Sequence, residues 1–320
     1  SRERYEEAFA GGKQILERLK SQENHQLKMS VLTFMGQAYR NTWDLKKAEK
    51  TLKTVIKESN QVGDLNVYKN YGFDPCVYAY GIMAMIAFLK GRPDSARSYV
   101  IEGIERAKKI NNIQPMAIAY NFAAKISALL RDRDQMDVFL KELLDQYRDE
   151  LTGSGVGIFI FILEGWLNGN PEFGAEIMRK NIEQDESFAS RWFEYLMVDT
   201  YLEIEAYQEA TDWLTLLLPR EDPYILPAMY RQKAITIFQL KGLNEDAHAC
   251  FKSAIDMAEK NNTPWLLFEA VYDYARILQQ ENNKELSKVL KYLTSIIEQQ
   301  KEGKSTWLYK NATKLIAETK

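Results

Sequence analysis

The sequence predicts an all-α protein, a single solenoid of about seven stacked helix pairs covering residues 1–320 and closed by a C-terminal capping helix. Three regularities predict it. A small residue recurs near the start of the second helix of each unit, at Ala8, Ala48, Ala96, Gly174, Ala210 and Ala247, with Met136 the one large exception. Successive spacings are 40, 48, 40, 38, 36 and 37 residues, the range of helix-pair repeats, whose minimal unit is about 34 residues. Nine residues before six of these anchors stand Tyr39, Ala87, Ser127, Gly165, Tyr201 and Phe238, and four after stand Leu52, Val100, Leu140, Met178, Leu214 and Phe251. Residues at i and i+4 share a helix face, so the last set forms a stripe able to pack on a neighbouring helix.

Each element follows from local chemistry. Ser1-Arg2-Glu3-Arg4 opens a polar helix carrying Ala8. It is expected to be a boundary inside a longer protein, with no signal peptide. Asn60 to Asp74, NQVGDLNVYKNYGFD, breaks helical periodicity with Asn, Gly and Asp and reads as an inserted loop. Asp74 to Lys109 is the prototype unit, two amphipathic helices about the turn Lys90-Gly91-Arg92-Pro93-Asp94. Gly91, Gly169 and Gly242 occupy equivalent turn positions, where glycine closes a helix in the left-handed conformation. Gln135 to Glu150 is an amphipathic helix, and Arg220-Glu221-Asp222-Pro223 ends another because proline disfavours helical geometry in the residue before it. After Asn261-Asn262-Thr263-Pro264 a last pair runs through Trp265 to Gln279 and Lys284 to Gln300, and Ser305 to Lys320 forms the charged cap.

Composition narrows the function. With 42 Lys+Arg against 45 Asp+Glu the net charge is −3, which gives no bulk drive toward nucleic acid or an anionic membrane. Cys76 and Cys250 are far apart and lie in apolar helical runs, so they read as small buried hydrophobes of a reduced, cytoplasmic protein. The longest uncharged runs, Cys76 to Leu89 and Leu151 to Leu163, fall short of the ~20 apolar residues of a membrane helix.

The units resemble the tetratricopeptide-like region that follows the ATPase module in bacterial class III adenylate/guanylate cyclases and related multidomain ATPase-containing kinases and regulators. Gly72-Phe73-Asp74-Pro75-Cys76-Val77 looks like that family's Gly-His-Asp-Pro-Gly-Val helix opening. Tyr230-Arg231-Gln232-Lys233 resembles its His-Arg-Leu-Lys helix, and Ala247-His248-Ala249-Cys250-Phe251 with Ala254 is similar to its Ala-Glu-Ala-Cys-Phe run. Phe73, Cys76, Tyr230 and Ala234 depart from the family pattern. The resemblance covers roughly Ser30 to Lys320 and implies a right-handed superhelical solenoid of tetratricopeptide-like pairs, serving as a regulatory or interaction segment of a larger signalling protein.

No stretch specifies a reaction. Leu151-Thr152-Gly153-Ser154-Gly155-Val156-Gly157 is the one phosphate-loop-like segment, but it follows a helix and lacks the Lys-Ser/Thr that completes such a loop, so it reads as a turn. His25 and His248 stand in distant units and read as helix-face residues. Asp132/Asp134 and Glu203/Glu205 fall at turns, where carboxylates cap helices. Lys46-Lys47, Lys108-Lys109 and Lys301 to Lys304 read as solvated helix ends.

In a tetratricopeptide-type array the first helix of each pair lines the concave wall. Positions counted from the anchors give Thr33, Gln37 and Arg40, then Tyr78, Met85 and Phe88, then Asn121 and Lys125, then Phe159, Leu163 and Trp166, then Trp192, Tyr195 and Asp199, and finally Gln232, Thr236 and Gln239. The middle is aromatic and the ends polar. Either curvature buries these rings against one another, or they line a groove for an amphipathic helix, a peptide or a small apolar ligand. The candidate binding residues are Tyr78, Phe88, Asn121, Lys125, Phe159, Trp166, Trp192, Tyr195 and Asp199. The expectation is a non-catalytic protein-interaction or ligand-sensing module of a cytoplasmic signalling protein, with no cofactor, metal, nucleic-acid or membrane site. A structural scaffold or homo-oligomerisation module is the alternative.

Overall fold

The computed structural model describes residues 2–21, 24–63, 69–70, 72–183, 191–220 and 225–319. These are all-helical, with no strand among the described residues. The helices delimited are α1 (Arg2–Leu19), α2 (His25–Asn41), α3 (Leu45–Val62), α4 (Pro75–Leu89), α5 (Pro93–Ile110), α6 (Ile113–Leu129), α7 (Arg133–Leu151) and α8 (Gly155–Leu167). They continue with α9 (Glu172–Glu183), α10 (Arg191–Glu203), α11 (Tyr207–Leu217), α12 (Leu226–Lys241), α13 (Glu245–Lys260), α14 (Pro264–Gln280), α15 (Leu286–Gln299) and α16 (Trp307–Glu318). None is long and apolar enough to cross a membrane among the described residues. The proline stop at Pro223 and most of the centre of the Asn60–Asp74 insertion lie outside the described residues.

The repeat register has a backbone cause. Five residues before each of six anchors the chain turns left-handed, at Trp43 (φ 66°), Gly91 (67°), Arg131 (56°), Gly169 (70°), Glu205 (60°) and Gly242 (73°). In four of these turns the next amide then reaches back to the carbonyl nine residues before the anchor, whereas at Gly242, with ψ at 179°, the glycine's own amide closes on Phe238 O at 2.8 Å. Asp44 N–H donates to Tyr39 O (2.9 Å), Asp132 to Ser127 (2.8 Å), Asn170 to Gly165 (2.7 Å) and Ala206 to Tyr201 (2.9 Å). This is the six-to-one closure that satisfies an orphan carbonyl at a helix end. In two of these turns the same residue starts the following helix. The Asp44 carboxylate accepts from Lys47 N at 3.0 Å and that of Asp132 from Gln135 N at 3.3 Å, filling the N-cap. The anchors therefore fall in the first turn of α3, α5, α7, α9, α11 and α13, and all six are buried. The residues four positions later are buried too.

The chain divides into two compact units. The first comprises residues 1–88, 94–126 and 138–160. Its core joins Met29 of α2, Ala48, Leu52 and Val55 of α3, and Ala79, Ile82, Met83 and Ile86 of α4. Glycines bring these helices close: a Cβ on Gly36 would meet the Leu52 side chain at 2.6 Å, and one on Gly81 would meet the Phe122 ring at 2.1 Å. Asp74, in the Gly72–Val77 segment, is wholly buried and caps Val77 N at 2.8 Å. It also takes a two-pronged bond from Arg106, Nε at 2.8 Å and Nη2 at 2.9 Å. Next to it, burial pushes the Cys76 thiol up to about 12, so it stays a neutral hydrophobe. Within the Leu151–Gly157 segment, Thr152–Ser154 form a turn between α7 and α8, with Gly153 at φ 78° and the Ser154 hydroxyl accepting from Gly157 N at 3.0 Å to start α8.

The second unit comprises residues 89–93, 127–137 and 161–320. Ala234, Ile235 and Phe238 of α12, Cys250 and Phe251 of α13, and Tyr274, Ile277 and Leu278 of α14 form a core cluster. Its edge is pinned by a short relay. His248 Nδ1 lies 2.7 Å from the Tyr274 hydroxyl, which donates to Glu285 Oε2 at 2.9 Å.

Candidate functional site

Two features stand out from this packing, a buried polar seam in the second unit and an open apolar groove in the first. The seam runs across the first helices of three successive pairs. Arg231 on α12 is 1% exposed. Its Nη1 donates to Asp273 Oδ2 on α14 (2.5 Å), and its Nη2 donates to Asp199 Oδ1 (2.9 Å) and to the Tyr195 hydroxyl (3.1 Å) on α10. Gln232 Nε2 donates to Asp199 Oδ1 at 2.8 Å and to the Tyr195 carbonyl at 2.9 Å. Arg131, held in its left-handed turn, lies 3.6 Å from Asp273 Oδ2 and places its guanidinium 5.1 Å from the Trp307 ring centre. Arg276 lies 3.6 Å from the other Asp273 oxygen.

Charge sets the protonation. Burial pushes the Asp273 carboxyl up, but Arg131, Arg231 and Arg276 outweigh it and hold Asp273 below the ordinary value. One turn earlier on α14, Glu269 is 2% exposed and its Oε2 has no hydrogen-bond partner. Burial, against the opposing pull of Arg231 and Arg131, pushes Glu269 up to about 7. Burial and the neighbouring Asp199 likewise hold the Tyr195 phenol well above its usual range.

The seam gathers four of the residues expected at the concave wall: Trp192, Tyr195, Asp199 and Gln232. Trp192 stands edge-on to Tyr195, ring centres 6.0 Å apart. Trp166 packs on Phe193 at 5.6 Å. Trp166, Trp192 and Tyr195 are all buried, as is Phe88 in the first unit. Tyr78 and Phe159 are half-buried, Tyr78 lying edge-on to Phe122 at 5.5 Å. Asn121 and Lys125 share one face of α6 in the first unit, both buried. Burial, then the nearby Arg40 charge, drives the Lys125 amine down to about 7; its Nζ lies 5.2 Å from the centre of the Phe122 ring.

Reading the sequence alone missed Arg231, Glu269 and Asp273 as site residues. The one local signal lay in α14: Glu269 and Asp273 are four apart, on one face of a helix that is otherwise apolar there. Asp132 and Glu203, acids at turns, have structural partners. Asp132 caps α7, and Glu203 pairs with Arg133, whose Nη2 donates to Leu167 O at 2.5 Å.

The groove lies between α1 and α2. Ala8, Gly12 and Ile15 form one wall and Val31, Phe34, Met35 and Ala38 the other, enclosing about 190 Å³. Phe34 is 54% exposed and Ile15 41%. Compared with known proteins, the chain matches no family model and no curated sequence at a significant level.

Proposed function

We propose that this chain is a non-catalytic interaction module of a cytoplasmic regulatory protein, built of tetratricopeptide-like pairs stacked as a right-handed solenoid, and that it receives an amphipathic helix of a protein partner in the α1–α2 groove. The observation that carries this reading is the state of Ala8. Six equivalent anchors are buried, whereas Ala8 is exposed. Elsewhere the anchor is covered by the helix that precedes its own: Ala48 clusters with Met29 of α2, and Gly174 lies against Ile162 and Trp166 of α8. What fits over Ala8 is therefore a helix with large apolar residues at i and i+3 or i+4, the helix-in-groove mode of recognition. Most of the aromatic wall offers less to a ligand, because Phe88, Trp166, Trp192 and Tyr195 are spent on packing.

Phe34→Asp and Ile15→Glu alter exposed side chains, so the fold should tolerate both. The test is fluorescence anisotropy with a labelled Leu/Lys amphipathic helical peptide. Wild type should bind, and Phe34→Asp should weaken binding by about 30-fold, the effect of losing a ~2 kcal/mol interface anchor. Self-association of wild type that Phe34→Asp abolishes would assign the groove to a second copy. Binding unchanged by both substitutions would overturn the reading.

A further inference from the structure

Setting aside Arg276 at the exposed rim, the seam holds three carboxyls, Asp199, Asp273 and Glu269, against two arginines, Arg231 and Arg131. Arg231 and Arg131 face Asp199 and Asp273, and those four charges balance. Arg276 stands at the rim, 38% exposed, on the Asp273 side. Glu269 is a third carboxyl in the same enclosure, at 2% exposure, with Oε2 unsatisfied. An unpaired buried carboxylate costs several kcal/mol, so such a group keeps its proton instead. From the geometry we infer that the α10–α12–α14 seam is a proton-gated latch, closed while Glu269 is the neutral acid and loosened when that proton leaves.

The charged and titratable groups of the seam come from α10, α12, α14 itself and the turn before α7. From α10 come Asp199 and the Tyr195 phenol; from α12, Arg231; from α14 itself, Asp273 and Arg276; from the turn before α7, Arg131. The two aspartates oppose ionisation of Glu269 and Arg231 and Arg131 favour it, while burial opposes it more strongly than either. The balance places the transition near neutrality, about 7. Ionisation puts a third negative charge beside Asp199 and Asp273, and opening of α14 gives that charge its water.

The direction follows from linkage. Glu269 has a raised folded-state value, so the closed seam holds more protons than the open one between the ordinary carboxylate range and about 7. Stability of the closed state is therefore full at acid pH, falls as pH rises through that window, and levels off above it. For one proton the opening constant rises by at most about tenfold per pH unit.

The test is hydrogen–deuterium exchange of α12 and α14 in the intact chain from pH 5 to pH 8, corrected for intrinsic exchange, in wild type and Glu269→Gln. In wild type the opening constant should climb by nearly tenfold per unit up to neutrality and then flatten. In Glu269→Gln it should stay level. A ¹³C titration of the Glu269 carboxyl in wild type provides the check should the variant fold poorly. A midpoint near neutrality supports the latch, whereas a midpoint in the ordinary carboxylate range, or equal pH slopes in the two proteins, overturns it.

Discussion

Arg231→Met tests the energetics of the seam most severely. The guanidinium makes three hydrogen bonds, to Asp273, Asp199 and Tyr195, at 1% exposure. Removing one partner of a buried ion pair usually costs ~3–5 kcal/mol, chiefly because the other charge is left uncompensated. Here the abandoned acids keep some support: Asp199 still accepts from Gln232 at 2.8 Å, and Asp273 keeps Arg131 and Arg276 at 3.6 Å. Methionine also preserves most of the packing of the stem. The loss should sit at the lower end, ~3 kcal/mol, or about 150-fold in the folding equilibrium. Urea denaturation followed by circular dichroism should show the transition of the second unit moved down by about 1 M. A midpoint shift below about 0.3 M would mean that water reaches Asp199 and Asp273, refuting the seam as a closed network.

Two further substitutions probe the residues expected to bind ligand. Trp192→Ala removes a buried ring packed edge-on to Tyr195, and thermal denaturation should show a loss of ~3–5 kcal/mol with no separable binding defect. Lys125→Met should change the pH profile of the first unit. The Lys125 amine has a depressed folded value, about 7, so the folded state binds fewer protons than the unfolded between about 7 and the ordinary lysine range. Wild-type stability should therefore rise with pH across that window, and Lys125→Met should abolish the rise; an unchanged slope would contradict the burial of the amine. This trend opposes the one expected from Glu269, so the two units can be told apart by sign.

The helices and their register were legible because the anchors sit where backbone geometry leaves little choice. A small residue in the first turn of α3 or α13 lies under a neighbouring helix, and the residue nine before it closes the preceding helix. The turns were only half legible. Gly91, Gly169 and Gly242 announce a positive φ, but Trp43, Arg131 and Glu205 adopt one with no compositional sign, against their intrinsic preference and with the following amide closing on the preceding helix. The seam was legible at Tyr195 and Asp199 but not at Arg231, whose partners are 32 and 42 residues away in sequence. An arginine in the middle of a helix reads as solvated until those partners are placed beside it. Burial of the wall was beyond the sequence for a related reason: helical spacing says which face a ring occupies and is silent on how closely the next helix approaches. The state of Ala8 was hidden for the same reason, since its identity matches the other anchors and only its exposure differs.

The central claim is that a partner helix docks on α1 and α2 and leaves the aromatic wall untouched. Hydrogen–deuterium exchange of the chain with and without the amphipathic peptide tests it directly. The account predicts slowed exchange confined to α1 and α2, lost in Phe34→Asp. Slowed exchange centred on α4, α6, α8 and α10, persisting in Phe34→Asp, would contradict it and return the binding site to Tyr78, Phe159 and their neighbours.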